Sequence, residues 1–476
     1  MELLKRAYQL LFFIGIFFIP FNSDIPKFLG FLGEYSADSS PYFFIVSLSL
    51  LLIYQLLKGK IFIPFKTIEY QIFLGFILVL FIATIFNMDH IFNYYFKKTS
   101  GPIRLIRQTL GLLIGSVFFF YTFVNVCRDY GAVRFFYKIR KLFFISFIIV
   151  LFVSALEFAI TTLGIEALKP FYKTFNFLPF VEVSLDYKMM RLSSITYEPP
   201  ALGTYLITIV GFMFSYIITE KKITRFLPFL CVVILAIFSK SRTAMVVILV
   251  QAIIAFFLAY YYYKDFRKYF NRVIVLGLAA TIVISFIYKE PLSAAIEERV
   301  ASLDFTKTKF KQGDNSISNK SRLGIQIAMI ETIKTNPLLG TGWGQQAYVS
   351  KNHYPNWAVK NNYEFTTLYL NQNVRSFPPG FNLYLRIAAE SGIIGLIVFA
   401  FFLYVTVKNI IYWLRNDTKT KYITIALLIS FSGFILNWLQ IDSFRIYGFW
   451  LCLAIFIILK KELHGKKDNS LNSSLQ

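Results

Sequence analysis

The sequence predicts an all-α integral membrane protein with about twelve transmembrane helices and one long extramembrane loop. Three observations predict it. The chain of 476 residues is 57% apolar, with 55 Phe and only 16% charged residues, a balance foreign to an ordinary soluble domain. Its apolar residues form long runs without period-two alternation. A bilayer requires every backbone group to be satisfied within the span, so such runs read as helices and not as barrel strands. Finally, between Lys289 and about Gly380 the pattern is interrupted by some ninety mostly polar residues.

Apolar windows bounded by charges or by Pro and Gly lie at 3–20, 42–57, 70–86, 108–126, 142–160, 201–219, 226–241, 243–262, 273–288, 392–412, 422–440 and 446–460. Alternate connectors are rich in cations: Lys58, Lys60 and Lys66; Arg128 to Lys141; Lys221, Lys222 and Arg225; Lys264 to Arg272; Arg415, Lys419 and Lys421; and Lys460 to Lys467. The positive-inside rule puts these in the cytoplasm, together with both termini. The other connectors then face outward: an acidic first loop with Asp24, Glu34 and Asp38, residues 161–200, the long segment 289–380, and Asp442 to Tyr447. The chain divides accordingly into nine spans with short loops over 1–288, a long outward loop with short helices over 289–391, three spans over 392–460, and a disordered cytoplasmic tail over 461–476. Lys5-Arg6 followed by Ala7 to Pro20 has the look of a signal peptide. No small-x-small cleavage site follows, and the segment reads as an uncleaved first span.

The formal charge of +23 raises the question of nucleic acid, but Lys and Arg are dispersed among short connectors with no groove-sized block and no recognition motif. Nucleic acid is therefore not an expected partner. Cys127, Cys231 and Cys452 lie at or inside apolar runs and read as core residues. With no H-E-x-x-H, no Cys/His set and no aspartate-rich pair, no metal site and no cofactor is expected.

Three outward arginines stand in short polar motifs: Arg191 in RLSSITYEPPALG, Arg242 in SKSRTA, and Arg322 in SRLGIQIAMIETIKTNPLLGTGWG. Each alone is explained as an interfacial arginine whose head snorkels to water. Three on one side suggest an anion site, because a rigid guanidinium fork matches phosphate oxygens. Ser239 to Thr243 interrupts an apolar stretch from Phe226 to Tyr262, so it predicts a tight outer hairpin carrying two cations. Within the long loop, Ser321 reads as an N-cap, Arg322 to Asn336 as a helix, and Pro337 as its stop. In the turn that follows, Gly340 and Gly342 either present backbone amides to a ligand or supply positive φ to an ordinary loop. Asn382 opens the next helix and shares a face with Arg386 and Glu390, which pair at i and i+4; Asn382 is left between N-cap and substrate contact. His353 reads either as a base or as a solvated loop histidine. Trp343, Tyr348, Tyr354 and Trp357 stack on sugars or pack within the loop.

SKSRTA at the outer end of a span, the long outward segment with NPLLGTGWG, and the return NLYLRIAAESGIIGL together resemble the O-antigen polymerase and ligase superfamily, over roughly residues 230–412; RLSSITYEPP also fits. The resemblance implies a GT-C-like fold in the bacterial inner membrane with a periplasmic active site. It implies a metal-independent glycosyltransferase whose donor is an undecaprenyl diphosphate-linked oligosaccharide held in the lipid, and it allows a chain-length regulator as a further partner. The family's outer arginines carry over to Arg191, Arg242 and Arg322 as the diphosphate-holding set, with Gly340, Gly342, Asn382 and Arg386 contacting substrate or shaping the loop. One departure stands out. Ligases of the superfamily have a His where this chain has Phe381, ahead of Asn382, so polymerase is the first expectation and ligase the second. Glu198 and His353 are the catalytic candidates, and Gly340 to Gly344 is expected to be the hinge or floor of a lid. A transporter of lipid-linked sugar is the alternative from another class. The absence of two related halves in the sequence counts against it.

Overall fold

A computed structural model describes residues 1–23, 35, 38–64, 66–264, 266–267 and 315–474. Window 273–288, the first part of the long segment (289–314), Asp24, Glu34, Lys268 and Arg272 lie outside the described residues. The described chain is helical. Its one strand pairing is a two-residue hairpin, Tyr95–Phe96 with Thr99–Ser100.

Among the described residues, seven helices are long and apolar enough to cross a membrane: Ser40–Lys58, Ile68–Phe86, Gly101–Tyr130, Ala132–Thr161, Pro199–Thr219, Arg242–Tyr262 and Leu383–Asn416. Shorter apolar helices at Ile223–Phe238 and Lys421–Asn437, with Glu2–Phe17 and Tyr447–Ser474, occupy the four remaining predicted windows that fall within the described residues. The protein is thus a multi-pass membrane protein.

Pro199–Thr219 is the most enclosed of these spans, packed between Arg242–Tyr262 and Lys421–Asn437. Small residues permit the approach: a Cβ on Gly211 would collide with the Ala426 carbonyl. Several polar groups inside the bundle find partners within it. Gln251 Nε2 donates to the carbonyls of Ile207 (3.1 Å) and Ile429 (3.0 Å), and buried Glu69 accepts from Lys460 Nζ (2.8 Å) and Asn409 Nδ2 (2.6 Å). In apolar surroundings each such group left alone costs several kcal/mol, on the order of its desolvation.

The connectors sort into two ends. At one end Arg140 pairs with Glu220 (3.4 Å), the Glu462 carboxylate accepts from the Ala132 N–H (2.9 Å), and Tyr8 bonds Asp129. At the other, Tyr447 Oη donates to Asp38 (2.7 Å), Lys240 Nζ to the Met189 carbonyl (2.9 Å), and the Gly380 N–H to Asp442 (2.6 Å). Connectors that the charge pattern groups as outward therefore meet at this second end, where the loop helix Asn315–Thr335 also lies.

One break fixes that loop to the bundle. In the return helix Leu383–Asn416, Gly392 has φ 67° and ψ −171°, and into this kink docks the turn after the loop helix, with the Ile393 N–H donating to the Pro337 carbonyl (2.9 Å). A Cβ at Gly392 would overlap the Leu338 carbonyl. Gly392→Ala combines a left-handed backbone penalty with overpacking, and is expected to cost about 2 kcal/mol or more; the thermal melting of the detergent-solubilised variant checks this against wild type.

Candidate functional site

The segment leading to Pro199 positions two charged side chains. Asp186 accepts the Met189 N–H (2.9 Å) and pairs with Arg191 Nε (3.3 Å), setting Arg191 at the start of the loop. Glu198 is the extended residue ahead of Pro199-Pro200, which start the helix in the position where a missing N–H costs nothing. Its carboxylate does not cap that helix and stays directed to the surroundings. Glu198 is solvent-accessible, yet enough protein surrounds it for desolvation to raise its carboxyl pKa; a bond from Tyr197 and the charges of Arg322 and Arg191 oppose the rise.

The predicted hairpin supplies the next part. Ser241 caps the Arg242 helix by accepting the Ala244 N–H, while Lys240, at φ 51°, reaches across to Met189. Arg242 Nη1 donates to Asn319 Oδ1 (3.1 Å) on the loop helix. Asn319 and Arg322 are three residues apart and share one helical face, so Arg242 is tied one turn away from Arg322. The Arg322 guanidinium lies 4.9 Å over the Phe381 ring, and its one polar partner among the described residues is Gln440 Oε1, at 3.5 Å. Its Nε is buried without a partner. Arg191 and Arg322 thus both act electrostatically on Glu198, and Arg242 is tied to the helix that bears Arg322.

The remaining expected residues serve as scaffold. In the glycine turn, Gly340, Gly342 and Gly344 have φ of 62°, 91° and 77°. The N–H groups of Thr341 and Gly342 donate to the Ala389 and Glu390 carbonyls (both 2.9 Å), and that of Trp343 to Thr84 Oγ1 (3.0 Å). These amides are spent on the protein, so Gly340 and Gly342 shape the loop and wedge it into the bundle. Asn382 is the N-cap of the return helix, accepting the Leu385 N–H (3.1 Å). Arg386 is fully engaged: with Glu390 (3.2 Å), Gln108 Oε1 (2.6 Å) and the Asp442 carbonyl (2.8 Å), and over the Trp343 ring at 4.8 Å. Among the aromatics, Tyr348 stacks on Tyr94 and Tyr354 meets Phe365 edge-on, while Trp357 is exposed.

Among the described residues, no hydrogen bond, ion pair or ring contact joins His353 to this cluster. It sits in the turn Lys351–His353, beside Ser350, whose hydroxyl meets Thr332 (2.9 Å). Thr332 is ten residues beyond Arg322, about 15 Å along the helix.

Three residues escaped the sequence reading. Arg445 acts electrostatically on Asp38 and on Tyr197, next to Glu198; burial raises the Asp38 carboxyl, and Arg445 and the Tyr447 hydroxyl oppose the rise. Lys97, wholly buried at positive φ, clasps the carbonyls of Leu368 and Tyr369, and burial lowers its pKa. Glu157 is a carboxylate inside the apolar window 142–160, a signal visible without any structure.

Residues 227–400 match the family model Wzy_C, described as O-Antigen ligase. The chain carries an O-antigen ligase family domain. This domain runs from the helix before the Ser239 hairpin, through the loop helix with Arg322, to the first half of the return helix, and it supports the likeness to the O-antigen polymerase and ligase superfamily. No curated protein matches the chain.

Arg386 and Arg322 should separate in stability. Arg386→Ala leaves Glu390 buried without its cation and is expected to cost about 3 kcal/mol or more. Arg322→Ala breaks no ion pair among the described residues and is expected to stay within about 0.5 kcal/mol of wild type. Parallel melting curves of the two purified variants check the contrast.

Proposed function

We propose that this protein is a polymerase of lipid-linked oligosaccharides, joining repeat units carried on undecaprenyl diphosphate into a surface polysaccharide such as O-antigen. The reading places it in the bacterial inner membrane with about twelve spans, both termini cytoplasmic and the site periplasmic, as the connector charges suggest. What carries the reading is Arg322: a guanidinium over an aromatic ring that acts with Arg191 on Glu198 and has, among the described residues, a buried nitrogen unpaired and no carboxylate in an ion pair with it. Such a group is preorganised for an anion.

In the reaction the hydroxyl oxygen of the acceptor sugar attacks the anomeric carbon of the donor glycan. The bond from that carbon to the diphosphate oxygen breaks, and undecaprenyl diphosphate departs with the electron pair. Negative charge grows on the departing diphosphate, where Arg191, Arg242 and Arg322 stabilise it without a metal ion. Glu198 accepts the hydroxyl proton. Its desolvated surroundings strengthen it as a base, and the neighbouring arginines keep a share of it ionised. His353 has no step in this scheme.

The family description favours a second reading, ligase, with transfer to a lipid A core or to protein. Phe381 argues for the first. Its ring supports Arg322 at the position where the superfamily's ligases have a histidine, and it cannot take a proton. Purified protein given lipid-linked repeats alone should yield a ladder of lengths; product that forms only after a core acceptor is added would mark a ligase. A pure transporter would turn over no donor in detergent.

Arg191→Ala and Arg322→Ala are each expected to lower kcat/KM by about tenfold to a hundredfold, with Lys a poor substitute because it lacks the fork; chain-length gels and initial rates measure this. The pH–rate profile supplies a second check. With the Glu198 pKa raised, the carboxyl stays protonated to higher pH, so activity should fall on the acid side at a midpoint above that of an ordinary glutamate. Glu198→Gln should abolish that limb together with most of the activity.

A further inference from the structure

The loop that bears Arg191 and Glu198 closes around one buried carboxylate. Glu157, near the end of the span Ala132–Thr161, is fully buried and accepts the Ser193 N–H at 3.1 Å on each oxygen, the Ser194 N–H at 2.8 Å and the Ser193 hydroxyl at 3.4 Å. No lysine or arginine forms an ion pair with it among the described residues. Ser194 takes φ 58° to aim its N–H at this oxygen, and its hydroxyl donates to the Val150 carbonyl of the same span (2.8 Å). A non-glycine residue at positive φ persists only where its surroundings hold it. Ser193 and Ser194 are buried as well, and Ile195 behind them is enclosed. Beyond this anchorage the chain is held by Thr196 Oγ1 on the Ser193 and Glu198 carbonyls (2.6 and 3.0 Å), by Ser23 Oγ on the Ile195 carbonyl (3.3 Å) and by Asn22 on the Tyr197 N–H (3.2 Å).

We propose that Glu157 is the positioning residue of the active site, the acceptor-only anchor that fixes Arg191 on one side of the Ser193–Ser194 turn and Glu198 on the other. Arg191 is two residues before this turn and Glu198 four after it. A carboxylate suits the task because both its oxygens accept and neither donates, matching converging N–H groups. Glutamine of nearly equal volume would turn one acceptor into a donor facing those N–H groups, and the loop would swing off its seat. A carboxylate kept inside an apolar span at such desolvation cost is accounted for by this local demand.

The proposal rests on the assignment of Arg191 and Glu198 to the reaction, and its test has two independent readouts. Amide hydrogen exchange of the full-length protein in detergent should show Ser193 and Ser194 protected in wild type and exchanging about tenfold faster or more in Glu157→Gln. In the same variant the donor KM should rise and kcat fall, with kcat/KM down about tenfold or more. Ser193→Ala, which leaves every backbone donor in place, should remain within about twofold of wild type. Should the glutamine variant not accumulate, Glu157→Asp, one methylene shorter but still acceptor-only, should show the same two changes to a smaller degree.

Unchanged exchange at Ser193 and Ser194 would overturn the anchor, and faster exchange with kcat/KM within about twofold of wild type would overturn its bearing on the reaction. The site assignment is judged separately. If Arg191→Ala and Glu198→Gln polymerise normally, that assignment fails whatever the exchange shows.

Discussion

The loop end of this protein hangs on a buried carboxylate, Glu390, and on what it must bind to remain there. Fully buried in the return helix, its carboxylate accepts from Arg386 and its backbone carbonyl from the Gly342 N–H, so one residue joins the helix, the glycine turn and, through Arg386, Gln108 and the Asp442 carbonyl. A buried charge without such partners would cost several kcal/mol. The turn Pro337–Gly344 cannot lift away without exposing that debt, and the loop helix preceding it is held in register over the bundle. The glycines are a consequence: only residues tolerating positive φ and lacking a Cβ let the turn approach the Glu390 backbone so closely.

Against this fixed scaffold the arginines divide by the company they keep. Arg386 is surrounded by acceptors and braces the structure. Arg322, on the helix the scaffold holds in place, has an aromatic ring beneath it and one long contact to Gln440. The same chemical group is structural in one place and available in the other, and neighbours decide which. A polyprenyl diphosphate is the kind of anion that such an arrangement at a membrane surface would attract, and the two adjacent arginines extend the same field.

Much of this was legible in the sequence where the information is local. Apolar windows gave the helices because span length is set by bilayer thickness, and Asn382, Arg386 and Glu390 could be placed on one face because helical spacing alone dictates it. Arg191, Arg242 and Arg322 could be singled out from their motifs. That Asn319 ties Arg242 to the Arg322 helix required the fold. The glycine turn stayed ambiguous for a plain reason: sequence shows that amides are present, not whether they are already bonded. Arg445 went unnoticed because its partner Asp38 lies about four hundred residues earlier in the chain. His353 looked chemically able, yet among the described residues no contact ties it to Arg322 or Glu198.

The central claim is that Arg322 is held ready for a diphosphate and not for the protein itself. Its most direct measurement is the affinity of the purified protein for undecaprenyl diphosphate, wild type beside Arg322→Ala, in the same nanodiscs and at the same ionic strength. The account predicts a loss of about tenfold to a hundredfold on substitution, the worth of a charge-assisted fork, with melting unchanged. Equal affinity in the two proteins would contradict it.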